Sequence, residues 1–191
     1  MALIERLTDQ AGTDAPLALV FPGVGYTVQA PLLYWPILAL TQAGWQVWSV
    51  NWHADIDEVA RADPASFVRT TLAEAEAAIP KAPEVVIGKS FGTYALPSYV
   101  DQNVRAVWLT PLLTVSAIAE SARAASDTHL LVGGTDDPSW ETGIIRGTAA
   151  KVVELRSADH SLETNGVGWR KSATNQIEAI QAVVSHILPG R

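Results

Sequence analysis

Three side chains in this 191-residue sequence have the types and spacing to do chemistry together. Ser90 is at the apex of Gly88-Lys89-Ser90-Phe91-Gly92, directly after the apolar run Val85-Val86-Ile87. An acidic pair, Asp136 and Asp137, follows the run His129 to Gly133 in Gly133-Gly134-Thr135-Asp136-Asp137-Pro138. His160 follows Lys151 to Leu155, in Ser157-Ala158-Asp159-His160-Ser161-Leu162. A serine hydroxyl is a weak nucleophile at neutral pH. It needs a base within hydrogen-bond reach and a third group to orient that base. A carboxylate, an imidazole and a serine at the ends of three different strands could meet that need.

Each motif has plainer readings. Gly88-Lys89-Ser90 suggests a phosphate-binding loop, but that motif needs a glycine five residues earlier, where Pro83 stands. Gly23-Val24-Gly25 follows a strand as in dinucleotide folds. The third glycine of that fingerprint would fall on Val28, however, and no acidic residue ends the next strand in the expected way. An acidic pair in a loop is often only a turn former, so either Asp136 or Asp137 could be the acid. Of the other histidines, His186 lies inside the closing helical stretch and His129 opens a strand, so both read as structural. His53 ends a strand on the same side as the three motifs.

The elements that must position these groups alternate in type. Leu17 to Phe21 is a continuous apolar run, the mark of a strand buried on both faces. A helix is expected from about Ala30 or Pro31 to Ala43, stopped by Gly44, then a strand from Gln46 to Val50. Asp63-Pro64 forms a helix start, with Asp63 as N-cap, and Pro80 ends that helix. After the Val85 strand, the elbow should lead into a helix from Phe91 to about Val100. A strand from Arg105 to Thr110, a helix from Val115 to Ala125, and strands at His129 and Lys151 follow. A helix from Gln176 to Leu188, with Ile177, Ile180, Val184 and Ile187 on its apolar side, closes the chain. An edge strand is expected around Ile4 to Leu7. Such alternation implies parallel strands, right-handed crossovers and helices on both faces. The expected architecture is a three-layer αβα sandwich, one domain spanning 1–191, with about six to seven strands.

Composition narrows the partners. Apolar residues make up 48% and charged residues 17%, a profile of a folded globular protein. A net charge of −7 without a basic run argues against nucleic acid and anionic membranes as partners. There are no cysteines, so thiolate catalysis and Cys-type zinc sites are excluded. Ala15 to Trp52 contains no charged residue, but its four prolines and three glycines suit strand, loop and helix better than a membrane span. Met1 to Arg6 lacks a basic start followed by a long apolar run, so no signal peptide and a cytoplasmic location are expected.

Taken in order, Ser90, an aspartate at 136 or 137 and His160 resemble the α/β-hydrolase superfamily over nearly the whole chain, from about Leu17 to Leu188. The resemblance rests on Gly88-Lys89-Ser90-Phe91-Gly92, Gly134-Thr135-Asp136-Asp137-Pro138 and Ala158-Asp159-His160-Ser161. It implies Ser90 as nucleophile, His160 as general base and then acid, and Asp137 as the group orienting the imidazole. Asp137 is preferred because Gly-x-x-Asp-Pro is the usual form there; Asp136 stays open as the alternative. Asp159, beside His160, reads as a loop former.

The resemblance also implies an oxyanion hole of two backbone N–H groups, Phe91 and Val24. Relatives commonly carry His-Gly where this chain has Pro22-Gly23. Thr110 to His129 has room for one helix, so a small site without a lid is expected. Tyr26, Trp52, His53, Leu112 and Trp140 are candidates to line it, although packing alone could explain each. Lys89 is expected at the surface or in an ion pair. The implied function is cleavage of a small ester or thioester through an acyl-enzyme, without metal or organic cofactor. Acyl transfer by the same triad, or a ligand-binding or interaction role without turnover, are the alternatives.

Overall fold

Leu17–Phe21 is apolar at every position because its alternate side chains enter two different cores. Leu17, Leu19 and Phe21 belong to one, and Ala18 and Val20 to the other. Side chains along a strand alternate between faces, so a strand covered on both sides must be apolar throughout. Val85–Lys89, Arg105–Leu109 and His129–Gly134 are likewise buried almost throughout and apolar except at one end, where Lys89, Arg105 and His129 stand.

The computed structural model describes residues 2–8 and 11–190. Met1 and Arg191, the ends of the expected single domain, lie outside the described residues. Seven strands are seen: β1 (Leu3–Arg6), β2 (Leu17–Phe21), β3 (Gln46–Asn51), β4 (Val85–Lys89), β5 (Arg105–Leu109), β6 (His129–Gly134) and β7 (Lys151–Leu155). They form one sheet in the order β1-β3-β2-β4-β5-β6-β7. Among the described strands, the β1–β3 pairing is antiparallel and the other five are parallel. The helices are α1 (Pro31–Gln42), α2 (Glu58–Ala62), α3 (Pro64–Ala78), α4 (Leu96–Tyr99), α5 (Ser116–Ala124), α6 (Thr142–Ile145) and α7 (Trp169–Ile187).

Two apolar layers follow. Leu32, Leu33 and Leu40 of α1 and Ala179, Val183 and Ile187 of α7 pack on one face of the sheet. Val68, Leu72 and Ala75 of α3, Ile118 of α5 and Ile144 of α6 pack on the other. Three-layer αβα packing is thus observed. Asp63 caps α3 by accepting from the Ser66 N–H at 3.0 Å, with Pro64 in the first turn. No described helix is long and apolar enough to cross a membrane.

Two local expectations are corrected. The elbow does not open directly into an α-helix: Ser90–Ala95 is 3₁₀, and only Leu96–Tyr99 is α-helical. Close packing of the backbone against β2, described below, accompanies this tighter winding. The closing helix begins at Trp169, and its buried face is Asn175, Ala179, Val183, His186 and Ile187. Ile177, expected on the apolar side, is 55% exposed. A hydrophobic residue on a helix is free to lie outside the buried stripe, and β-sheet position rather than composition sets where that stripe falls.

Candidate active site

The elbow is built on close contact. A Cβ on Gly92 would lie 2.0 Å from the carbonyl oxygen of Phe21, so the turn can cross β2 only with glycine there. Gly88 pairs with Trp108 across the β4–β5 ladder, and a Cβ on Gly88 would lie 2.7 Å from that indole ring. Between them Ser90 takes φ 51°, the left-handed region that non-glycine residues seldom occupy. The backbone therefore reverses at Ser90 and lifts its side chain out of the sheet edge. The Thr93 hydroxyl ties the turn by donating to the Ser90 carbonyl at 2.5 Å.

His160 and Asp137 reach this point from β7 and β6. His160 Nε2 is 2.7 Å from Ser90 Oγ, and His160 Nδ1 is 2.7 Å from Asp137 Oδ2. The other oxygen of Asp137 accepts the Ser139 N–H at 2.8 Å. Asp137 is 3% exposed. Burial alone would push its carboxyl up. The hydrogen bonds from His160 and Ser139, with the charges of His160 and Lys89, outweigh it and hold the carboxyl below its ordinary value. An ionised carboxylate can only accept, so Nδ1 carries the imidazole proton. Nε2 is then free to accept from the Ser90 hydroxyl. Asp136, the alternative acid, is exposed, and its side chain accepts among the described residues only from its neighbour Thr135, at 3.3 Å.

The histidine loop is pinned from within. Asp159 Oδ1 accepts the N–H groups of Ser161 and Glu163 at 2.8 and 3.0 Å. Ser157 and Leu162, one at each end, have φ 57° and 59°. Asp159 is thus a loop former, and its carboxylate is spent on backbone donors beside His160.

Lys89 departs from expectation. It is not at the surface, being 2% exposed, and among the described residues it forms no ion pair. Its Nζ donates to Thr110 Oγ1 at 2.7 Å and to the backbone carbonyl of His160 at 3.0 Å. The Tyr26 ring lies 4.8 Å from Nζ, within cation–π range. Burial pulls the ammonium down to about 8, while the negative charges of Asp137 and Asp159 resist the fall. The sequence held one signal for this burial. Period two places Lys89 on the strand face of Val85 and Ile87, which α1 and α7 cover.

The five candidate lining residues separate. Tyr26 is half-buried near Lys89, its hydroxyl accepting the Leu32 N–H at 3.1 Å. Leu112 is half-buried, its N–H donating to Thr93 Oγ1 at 3.3 Å. His53 lines a small cleft with Pro22, Thr27, Val28 and Asn51. Trp52 does not line an open site: it is fully buried, edge-on to Phe91 with ring centroids 5.4 Å apart. Trp140 is also packed inward. Its ring fills the space a Cβ on Gly133 would need, and its indole N–H donates to Glu154 at 2.7 Å. Large aromatic surfaces gain most from burial, which overrode the loop positions of both tryptophans.

Gly23 brings the loop after β2 against the elbow, since a Cβ there would lie 3.3 Å from Ser90 Cβ. Val24, the next residue, is 42% exposed. Between β5 and β6 the chain has α5 and no inserted cap.

No protein-family model matches the sequence, and no curated protein sequence matches it. Solved structures do. An α/β serine hydrolase homologue from Coxiella burnetii aligns with a TM-score of 0.62 at 16% identity, covering 96% of this chain and 89% of that one. Est1E from Butyrivibrio proteoclasticus aligns at 0.68 and 11% identity, over 98% and 92% of the two chains. An α/β serine hydrolase without a lid, from Xanthomonas campestris, aligns at 0.56 and 16%, over 100% and 90%. Identities this low carry the architecture alone. With its sheet order, its elbow and the absence of a cap between β5 and β6, the chain has the α/β-hydrolase fold in its lidless form.

Proposed function

We propose that the protein is a serine hydrolase acting on a small ester or thioester. The single observation that carries this reading is the unbroken hydrogen-bonded chain from Ser90 Oγ through His160 to Asp137, both links at 2.7 Å. Three neutral or structural side chains would have no reason to meet in that order at the carboxyl edge of a sheet.

In this reading Ser90 Oγ attacks the acyl carbon as its proton passes to His160 Nε2. Asp137 stabilises the imidazolium through Nδ1. Negative charge developing on the carbonyl oxygen is met by the N–H groups of Phe91 and Val24. The approach of Gly23 to Ser90 supports Val24 as the second donor. Loss of one such donor lowers kcat by about 10² to 10³. His160 then returns its proton to the departing alcohol or thiol, leaving an acyl-serine. Water, deprotonated by the same imidazole, releases the acid. The substrate is a small molecule reaching an uncapped edge. Tyr26, Leu112 and His53 are the side chains retained as candidates to border it.

The test is covalent labelling. A fluorophosphonate should label the wild-type protein and not Ser90→Ala, and short p-nitrophenyl esters should be hydrolysed only by the former. Absence of both signals in the wild type would leave a binding protein on a hydrolase fold. A panel of esters graded by acyl length would then define the substrate. Because Est1E has been solved with ferulic acid bound, a feruloyl ester belongs on the panel.

A further inference from the structure

Lys89 occupies an unusual place for a lysine. It is the last residue of β4, adjacent to the nucleophile candidate, and its charged end is closed off from solvent. Buried lysines are rare and costly unless the charge is used. Here the ammonium joins four segments that each arrive at the sheet edge separately. It sits on the strand before Ser90, touches Thr110 after β5, holds the carbonyl of His160 after β7, and lies over Tyr26 after β2.

Thr110 adds an independent sign that the arrangement is built. It has φ 43°, a conformation that is a genuine outlier for a β-branched residue. That conformation is what accompanies the 2.7 Å contact between its hydroxyl and Nζ. Backbone strain at one end and a buried charge at the other meet in a single hydrogen bond.

We infer that Lys89 is a positioning residue: its ammonium, held by Thr110, grips the backbone of His160 and so fixes the imidazole between Ser90 and Asp137. This inference rests on the hydrolase reading for its kinetic consequence, though the clamp itself does not. The grip depends on charge, since hydrogen bonds from a cation are about twice as strong as those from a neutral amine. A neutral lysine still donates, but weakly.

The groups facing Nζ allow the pH behaviour to be stated. Asp137 and Asp159 are the negative charges nearby, and both favour the ammonium. His160 presents its carbonyl, and Tyr26 its ring face. Burial pushes the Tyr26 phenol above its ordinary value, with Glu163 adding to the shift against the Leu32 N–H, so Tyr26 stays neutral while Lys89 titrates. The ammonium is half lost at about pH 8. Raising the pH through that point removes the grip, so activity should fall on the alkaline side. Without the lysine that loss of grip is absent.

The experiment is a profile of kcat/KM and of kcat from pH 6 to 9.5 with a short p-nitrophenyl ester, corrected for spontaneous hydrolysis. Wild type should drop on the order of tenfold across an inflection near pH 8. Lys89→Met should start on the order of tenfold lower at pH 7 and show no inflection, meeting the wild-type curve at high pH. Lys89→Arg should retain activity and lose the inflection, because a guanidinium stays charged. Thr110→Val keeps the shape of the threonine and removes the oxygen that stabilises the ammonium, so the inflection should move to lower pH. A wild-type profile flat to pH 9.5, or a Lys89→Met profile parallel to it, overturns the inference.

A readout without turnover separates the two readings. In Ser90→Ala, nitrogen chemical shifts of the His160 ring and of a labelled Lys89 should move with one shared midpoint near pH 8. If fluorophosphonate fails to label the wild type yet the shifts move together, the hydrolase reading falls and the clamp stands. If labelling succeeds and Lys89 titrates as an ordinary exposed lysine, the clamp falls and the hydrolase reading stands. Should Lys89→Met not fold, the Thr110→Val shift and the nitrogen titration decide the matter.

Discussion

Asp137 and His160 share a 2.7 Å hydrogen bond in which the carboxylate is almost wholly buried and the imidazole is partly open to solvent. In the proposed mechanism that asymmetry suits His160 as the base that meets substrate while Asp137 never does. Asp137→Asn would present an amide N–H to Nδ1 and favour the wrong tautomer, so kcat for ester hydrolysis should fall by about 10³ to 10⁴. Asp136→Asn alters an exposed group and should change kcat by less than about threefold. Steady-state kinetics with circular dichroism to verify folding would check both; equal losses would point to a folding effect and not to the acid.

The elbow glycines differ in what they exclude. Gly92→Ala sets a Cβ 2.0 Å from a backbone carbonyl, which no rotamer can relieve. A loss of about 4 kcal/mol or more is expected, in the range reserved for severe steric faults. Gly88→Ala meets the Trp108 ring at 2.7 Å. A side chain can yield, so about 1–3 kcal/mol is expected. Urea midpoints at equal m-value would rank them, and a milder effect at Gly92 would contradict the geometry.

Acid stability should depend on a histidine remote from Ser90. His186 is buried, and its Nε2–H donates to the Thr128 carbonyl at 2.9 Å. Burial, joined by the charges of Lys151 and Arg105, lowers it to about 4, against the hydrogen bonds to Thr128 and Ala106. A pKa lower in the folded state means that the unfolded chain binds the proton more readily. Stability is therefore full above the unfolded value of about 6.5 and is lost as pH falls towards 4. Urea unfolding at pH 7 and pH 4.5 should show a smaller difference in His186→Gln than in wild type. An identical difference would assign the acid sensitivity elsewhere, with His129, also lowered by burial, as the next residue to vary.

Asp63 offers a simple stability test away from the site. Its carboxylate caps α3 through the Ser66 N–H. Asp63→Ala should cost about 0.5–2 kcal/mol, measured by thermal or urea unfolding, with ester hydrolysis at 25 °C unchanged.

Much of this protein was legible in the order of its residues. Apolar runs such as Leu17 to Phe21 and Val85 to Ile87 announce strands covered on both sides, because only such strands need apolar residues at every position. Gly88 and Gly92 announce a turn too tight for a Cβ. The spacing of Ser90, the Asp136–Asp137 pair and His160 behind three strands placed all three at one sheet edge, since parallel strands share their carboxyl ends. Local chemistry fixed Asp63 and Pro64 as a helix start, because a cap bonds within its own first turn.

Tertiary structure decided the rest, where the partner of a residue lies far along the chain. Lys89 is buried because Thr110 and the carbonyl of His160, 21 and 71 positions away, converge on its amine. No local pattern records that convergence. Asp137 faces His160 while Asp136 faces solvent, a choice made by how one loop turns against another. Trp52 and Trp140 read as loop residues and became core, because aromatic area is buried wherever neighbouring elements leave room. Ile177 reads as core and is exposed, because the sheet and α1 determine which stripe of α7 is covered. Sequence order set which groups could meet at the edge; packing set which of them are held there, and by what.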